Sequence, residues 1–113
     1  MTNFAHGRAA EAAAARHLEK LGYRVIAQNW RTRRCEIDIV ATKNHTAHCV
    51  EVKYRLNSQQ GNGLDYITAK KQQQMRFAAA VWAAQNHWQK DIVVSAIEVS
   101  GNNYEVTEFI ECI

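Results

Sequence analysis

Four charged residues, Glu36, Asp38, Glu51 and Lys53, sit inside two short apolar runs between Cys35 and Arg55. The runs read as two β-strands joined by a tight turn at Asn44-His45. With Lys43 facing Thr46, antiparallel pairing sets Asp38 opposite Glu51 and Glu36 opposite Lys53. Like charges directly opposite on a sheet face are destabilising, so either that register fails or a cation lies between the two carboxylates. A third carboxylate, Glu11, falls on the inward face of a helix predicted from Phe4 to Leu21. At about 100° per residue, Phe4, Glu11 and Leu18 share one face, with Ala14, Ala15 and Leu21 beside them, and Ala12, Ala13, Arg16 and Lys20 lie away from it. A carboxylate on an inward stripe is costly unless it is paired, hydrogen-bonded or bound to metal. The alternatives at this helix are a partly exposed end or an ion pair with Arg8, one turn earlier.

Two or three carboxylates on a rigid sheet suit Mg²⁺ (or Mn²⁺), which keeps waters that a phosphate can displace. Lys53 shares a strand face with Glu51, two residues on, where its ammonium could orient or help deprotonate a metal-bound water. The chemistry that follows is hydrolysis of a phosphodiester, with Glu11, Asp38 and Glu51 as metal ligands and Lys53 as the catalytic cation. Their oxygens are expected to converge on one point at the edge of the hairpin. Competing readings are weaker. His45, His48 and Cys49 cluster near the turn, but His48 and Cys49 point to opposite strand faces and a fourth zinc ligand is missing. No His is placed by the sequence beside Cys35 or Cys112 to activate a thiol.

The elements that must hold these groups can be read in order. The first helix ends at Gly22, a residue suited to a left-handed cap. Tyr23 to Trp30 is a strand, running into the turn Arg31-Thr32-Arg33-Arg34, which is rich in phosphate-binding side chains. In the hairpin, Ile37, Ile39, Ala41, Val50 and Val52 form one apolar face. Glu36, Asp38, Val40, Cys49, Glu51 and Lys53 form the other. A half-solvated hairpin could expose such charges harmlessly, an option that weakens if helices cover both sides of the sheet. Residues 56–64 form a polar, glycine-containing loop expected to be mobile, placed where it could close over a substrate. A second helix is expected from Asp65 to Trp88, with Ile67, Met75, Ala78, Val81, Trp82 and Trp88 recurring at helical intervals and Lys70, Lys71 and Arg76 on its basic side. Ile92 to Val99 has the nearly continuous apolar composition of a central strand. It should lie parallel to the strand before the helix, through a right-handed crossover. Ser100-Gly101-Asn102-Asn103 is a turn, and Tyr104 to Ile110 alternates as a closing strand. The order is αβββαββ, an α/β class with a mixed sheet flanked by helices and one domain over residues 1–113.

Charge along the chain is uneven. Residues 1–90 hold all fourteen Lys and Arg and six of the eleven acids, whereas residues 91–113 hold five acids and no Lys or Arg. The positive surplus thus falls on the part that carries the odd carboxylates, an arrangement suited to a polyanion. The bland alternative is a solvated basic face. Of the residues, 47% are hydrophobic and 22% charged, with no long apolar run. That argues against a transmembrane helix. The alanine-rich start is broken by Arg8, Glu11 and Arg16, unlike a signal peptide, so a cytoplasmic location is expected. Three cysteines without C-x-x-C spacing fit reduced, buried thiols.

Asp38 followed after a turn by Glu51-Val52-Lys53 resembles the signature of the PD-(D/E)XK nucleases. G-x-x-A-E (Gly7 to Glu11), N-W-R (Asn29 to Arg31), E-I-D-I-V-A (Glu36 to Ala41) and V-E-V-K-x-R (Val50 to Arg55) look like the bacterial YraN family, itself similar to archaeal Holliday junction resolvases. Glu-x-Lys alone is a weak signal, but four motifs in this order are specific. The resemblance implies a restriction-endonuclease-like αβββαβ(β) core and a metal-dependent endonuclease acting on DNA, at branched or flapped structures. It carries Glu11, Asp38, Glu51 and Lys53 into the catalytic set. Arg31, Arg33, Arg34, Arg55, Lys70 and Lys71 are the side chains expected on nucleic acid, and likeness to resolvases implies a homodimer. Two departures stand out: Cys35 occupies the place of the family's usual Gly, and the proline of the signature's name is missing. Two other readings remain beside the nuclease: a nucleic-acid-binding protein with the nuclease fold and little or no activity, and an interaction domain whose carboxylates are merely exposed.

Overall fold

A run of small apolar side chains lets the first helix, α1 (Asn3–Lys20), lie close against a sheet: Ala10, Ala13, Ala14 and Leu18 are all buried on it. The computed structural model describes residues 3–57 and 64–113, the side chains of Asn3 and Phe4 excepted. Phe4 of the expected stripe and most of the loop over residues 56–64 therefore lie outside the described residues. The buried stripe runs through Ala10, Ala14 and Leu18, turned from the predicted one toward Ala13, which is buried; Leu21, past the last residue of the helix, is exposed. Glu11 consequently sits on the flank of the stripe, half-buried. Gly22 closes the helix with φ +92°. Its N–H donates to Glu19 O and that of Tyr23 to Leu18 O, at 3.1 and 3.0 Å. This is the Schellman arrangement, which strains any residue with a Cβ.

The strands β1 (Arg24–Arg31), β2 (Glu36–Lys43), β3 (Thr46–Arg55), β4 (Asp91–Ser100) and β5 (Glu105–Ile110) form one mixed sheet in the order β1-β2-β3-β4-β5. Asn44 and His45 both have positive φ, 52° and 67°, the requirement of a two-residue hairpin turn whose twist matches its strands. This turn sets the predicted register, with Lys43 against Thr46 and Ile39 against Val50. After the second helix, α2 (Ala69–Gln85), β4 returns parallel to β3, paired from Thr46–Asp91 to Arg55–Ser100.

α2 is shorter than the predicted Asp65–Trp88. Thr68 takes the N-cap, its hydroxyl accepting the Lys71 N–H at 3.1 Å, and the Asn86 side chain donates to Trp82 O at 2.9 Å to end it. A cap residue leaves helical φ and ψ, so Asp65, Tyr66 and Ile67 precede the helix. The helical spacing extended too far because Ile67 and Trp88, though outside the helix, pack into the same cluster as Met75, Ala78, Ala79 and Trp82.

α1 and α2 cover opposite faces. Ile39, Ala41, Val50, Ile97 and Val99 pack under α1, and Val40, Ala47, Cys49 and Val94 under α2. The result is an α/β fold with the layering of a restriction-endonuclease-like core. Fully burying side chains such as Ile39 or Ile97 contributes about 1.5–3 kcal/mol each. Ile37 departs from the expected pattern, joining Val40 on the α2 side; beyond Ile39, β2 has parted from β3 and no longer shares one surface with it. Among the described residues no helix is long and apolar enough to cross a membrane.

Candidate active site

The hairpin opens where the charges begin. β2 and β3 pair as far as Ile39–Val50. One step further would set Asp38 against Glu51, but the ladder stops. β2 stays with β1 to Arg31–Glu36, while β3 stays with β4 to Arg55–Ser100. The fork frees a backbone donor of β3, and Asp38 takes it: the Val52 N–H donates to Asp38 Oδ2 at 2.8 Å. The carboxylate thus replaces the strand partner that a buried N–H requires. The predicted register is correct, but the pairing it implied for Asp38–Glu51 and Glu36–Lys53 is replaced by the opening.

Asp38 is the electrostatic centre of the site. Burial, then the Glu51 charge, push its carboxyl up to about 7 from 3.8, against the Val52 N–H; Glu11 and Glu36 push the same way. Glu11 arrives from α1, and its Oε2 is buried without a hydrogen-bond partner among the described residues. Burial raises its pKa too, opposed by a hydrogen bond from the Asn29 side chain and by the charges of Arg31 and Arg8. Asn29 has φ 53°, a conformation Asn tolerates better than most residues. The N-W-R run therefore acts as a support for Glu11.

Glu51 is turned toward α2, where its Oε1 pairs with Lys71 Nζ at 3.0 Å. The expected convergence on one point is correspondingly incomplete: among the described residues no three His, Cys, Asp or Glu side chains stand close enough together to hold a metal ion. The donor chemistry nonetheless fits a divalent cation. Carboxylate oxygens are its ligands, Glu11 Oε2 lacks a partner among the described residues, and the surroundings of Asp38 oppose its charge. Lys53 is exposed, its Nζ 5.4 Å from the centre of the Tyr66 ring.

The basic residues divide. Arg34, Lys70 and Lys71 line one cavity of about 530 Å³, whose walls also include Glu36 and Glu51. Arg31 acts on Glu11, and Arg33 is exposed. Arg55 is directed elsewhere, its Nε donating to Glu98 Oε2 at 2.8 Å in a pair whose side chains are 12% and 9% exposed. Thr107 donates to the other Glu98 oxygen at 2.7 Å. In the turn before β2, the Thr32 hydroxyl accepts the N–H groups of Arg34 and Cys35 at 3.1 and 3.2 Å. Cys35 is not among the positive-φ positions, so this turn has no need of the glycine usual there. His48 and Cys49 face opposite sides as expected: His48 Nδ1 lies 3.1 Å from Ser95 Oγ, and Cys49 belongs to the α2 cluster.

Sequence reasoning passed over three residues. Tyr66, in the turn before α2, has a buried hydroxyl with no partner among the described residues. Its pKa is raised by burial and by the charges of Glu51 and Asp38, so it is a protonated phenol beside the carboxylates. The helical reading of residues 65–88 hid it. Glu98 could have been found as the one acid inside the Ile92–Val99 run. Asn29 was visible only as part of a motif.

The comparisons with known proteins agree with these motifs. A family model described as "Uncharacterised protein family UPF0102" matches residues 10–99. A UPF0102 protein of Pseudomonas fluorescens is 45% identical over 73 residues, covering 65% of this chain and 61% of its own length. One of Ectopseudomonas mendocina is 42% identical over 80 residues, covering 71% and 67%. A third, of Prosthecochloris aestuarii, is 38% identical over 100 residues, covering 88% and 79%. The family match takes in Glu11, Asn29, Asp38, Glu51, Lys53 and Lys71. The chain belongs to this family, UPF0102, the YraN family.

Proposed function

We propose that this protein is a metal-dependent endonuclease that hydrolyses DNA phosphodiester bonds. The observation that carries the reading is the fork at Asp38: a carboxylate held by the Val52 N–H, opposed by the charges of Glu51, Glu11 and Glu36, beside a cavity lined with cations. Carboxyls shifted by burial and by neighbouring charge, beside a cleft, are concentrated at functional sites. Glu11, Asp38 and Glu51 would hold Mg²⁺ or Mn²⁺, which when bound acidifies water and offsets charge on a phosphate. Arg34, Lys70 and Lys71 bind the strand's phosphates and fix its approach. Lys53, exposed at the open end of β3, orients the attacking water and stabilises the charge that develops on the phosphate. Glu51 must leave Lys71 to take part, and a phosphate that draws off the Lys71 ammonium favours that exchange.

The test is a cleavage assay on duplex, single-stranded, flap and four-way DNA with Mg²⁺ or Mn²⁺, beside Glu51→Ala and Lys53→Ala. Cleavage by the wild type and its loss in both variants is the expected outcome. If no substrate is cut, or the variants cut as well as wild type, the catalytic assignment fails. One observation favours a second reading, nucleic-acid binding with little cleavage: Glu51 is committed to Lys71, leaving the carboxylates apart. Tight binding without cutting selects that reading.

A further inference from the structure

The cavity between the turn preceding β2 and the outer face of α2 contains more than phosphate ligands. Its α2 wall carries Lys70, Gln73, Gln74 and Phe77, at helical spacings that place them on one stripe. Ala78 and Trp82, round the helix from that stripe, are buried against the sheet, and Met75, also buried, lines the cavity as well. Phe77 is 48% exposed, a large ring left out of both core clusters. Single exposed apolar residues are common and by themselves mean little. This one shares a concave wall with two uncharged carboxamides and three cations, in a volume of about 530 Å³, within the range of small-ligand sites.

Each chemistry on that wall matches a different part of one ligand. Arg34, Lys70 and Lys71 suit phosphate. Two acids, Glu36 and Glu51, also line the cavity; Glu51 is paired with Lys71 at 3.0 Å, so Lys71 meets a phosphate only when that pair opens. Gln73 and Gln74 offer phosphate little, but each presents a donor and an acceptor, as a base edge requires. An exposed aromatic ring next to them is a stacking surface, tolerant of any base. Bases within a duplex are stacked on one another and cannot present a face to it. We propose that this cavity binds an unpaired nucleotide, with its phosphate on Arg34, Lys70 and Lys71, its base on Phe77 and its edge on Gln73 and Gln74. The inference rests on the reading above only in taking nucleic acid as the ligand. It narrows the substrate to strands with an unpaired nucleotide next to the carboxylates.

The experiment uses a single-stranded DNA 12-mer carrying 2-aminopurine, the same strand annealed to its complement, and the same base in a flap. All are titrated with the full chain in EDTA, so that binding is read without cleavage. The fluorescence of the unpaired probes should be quenched on binding, and that of the paired probe unchanged. Phe77→Ala should abolish the quench and weaken single-strand binding about tenfold, with duplex affinity altered less than about twofold. Phe77→Trp should retain both quench and affinity, separating stacking from any packing role. Unchanged quench and affinity in Phe77→Ala, or equal weakening toward duplex and single strand, overturns the proposal. A quench that persists in a protein that cuts nothing supports the pocket and removes only the nuclease reading. Cleavage without any quench does the reverse.

Discussion

Replacing Asp38 by Asn should make the metal-free protein more stable, and by an amount that depends on pH. A carboxyl moved from 3.8 to about 7, at about 1.4 kcal/mol per pH unit, is ionised in the folded chain at a cost of about 4 kcal/mol. The folded state binds this proton more tightly than the unfolded state. The cost is therefore complete above pH 7, shrinks as pH falls, and vanishes below 3.8. Asn keeps an oxygen to accept the Val52 N–H while removing the charge. Asp38→Asn should thus gain about 4 kcal/mol at pH 8 and about 2 kcal/mol at pH 5.5, read by urea unfolding in EDTA. Glu11, also raised by burial, adds to the wild type's own pH dependence, and its repulsion of Asp38 is part of the cost that the variant removes. Mg²⁺ should stabilise the wild type, by about 2.7 kcal/mol at a hundred times its dissociation constant, and leave the variant unchanged. A variant no more stable than wild type at pH 8 in EDTA would refute the reasoning, because Asp38 would then be an ordinary, compensated carboxylate.

Two further outcomes follow from neighbouring contacts. Lys71→Met removes the ammonium that holds Glu51 at 3.0 Å; thermal unfolding should show Mg²⁺ stabilising this variant more than wild type in the absence of DNA, while anisotropy shows weaker DNA binding. An equal or smaller Mg²⁺ effect would mean that Glu51 does not exchange. Tyr66→Phe deletes a buried hydroxyl without a partner among the described residues, so stability should be unchanged or raised by up to about 1 kcal/mol, since no hydrogen bond is lost; a loss above about 1 kcal/mol by urea unfolding would show that the hydroxyl is satisfied in solution.

The parts legible in advance were those that depend on near neighbours. Gly22 ends α1 because the backbone there requires φ +92°, and Asn44-His45 sets the hairpin register because both residues tolerate positive φ. The apolar run of β4 and its long crossover placed it parallel to β3, as observed. The parts missed depended on competition between local signals. Helical spacing carried the second helix back to Asp65, but the Thr68 hydroxyl won the N-cap, and Tyr66 was left in a turn at the carboxylates. Likewise Leu21, counted with the inward stripe, was carried outward by the capping turn that Gly22 makes.

The sequence by itself determined the element order, the two covering helices, the hairpin register and which residues could bring carboxylates near one another. Each follows from periodicity, turn chemistry or spacing over a few residues. What each charge does was decided only by tertiary structure. Asp38 binds Val52 because β2 and β3 part to follow different neighbours. Glu51 turns to Lys71, 20 positions along the chain, and Arg55 to Glu98, 43 positions along. A charge takes the partner that packing brings closest and desolvates with it. No local pattern in the chain specifies which partner that is.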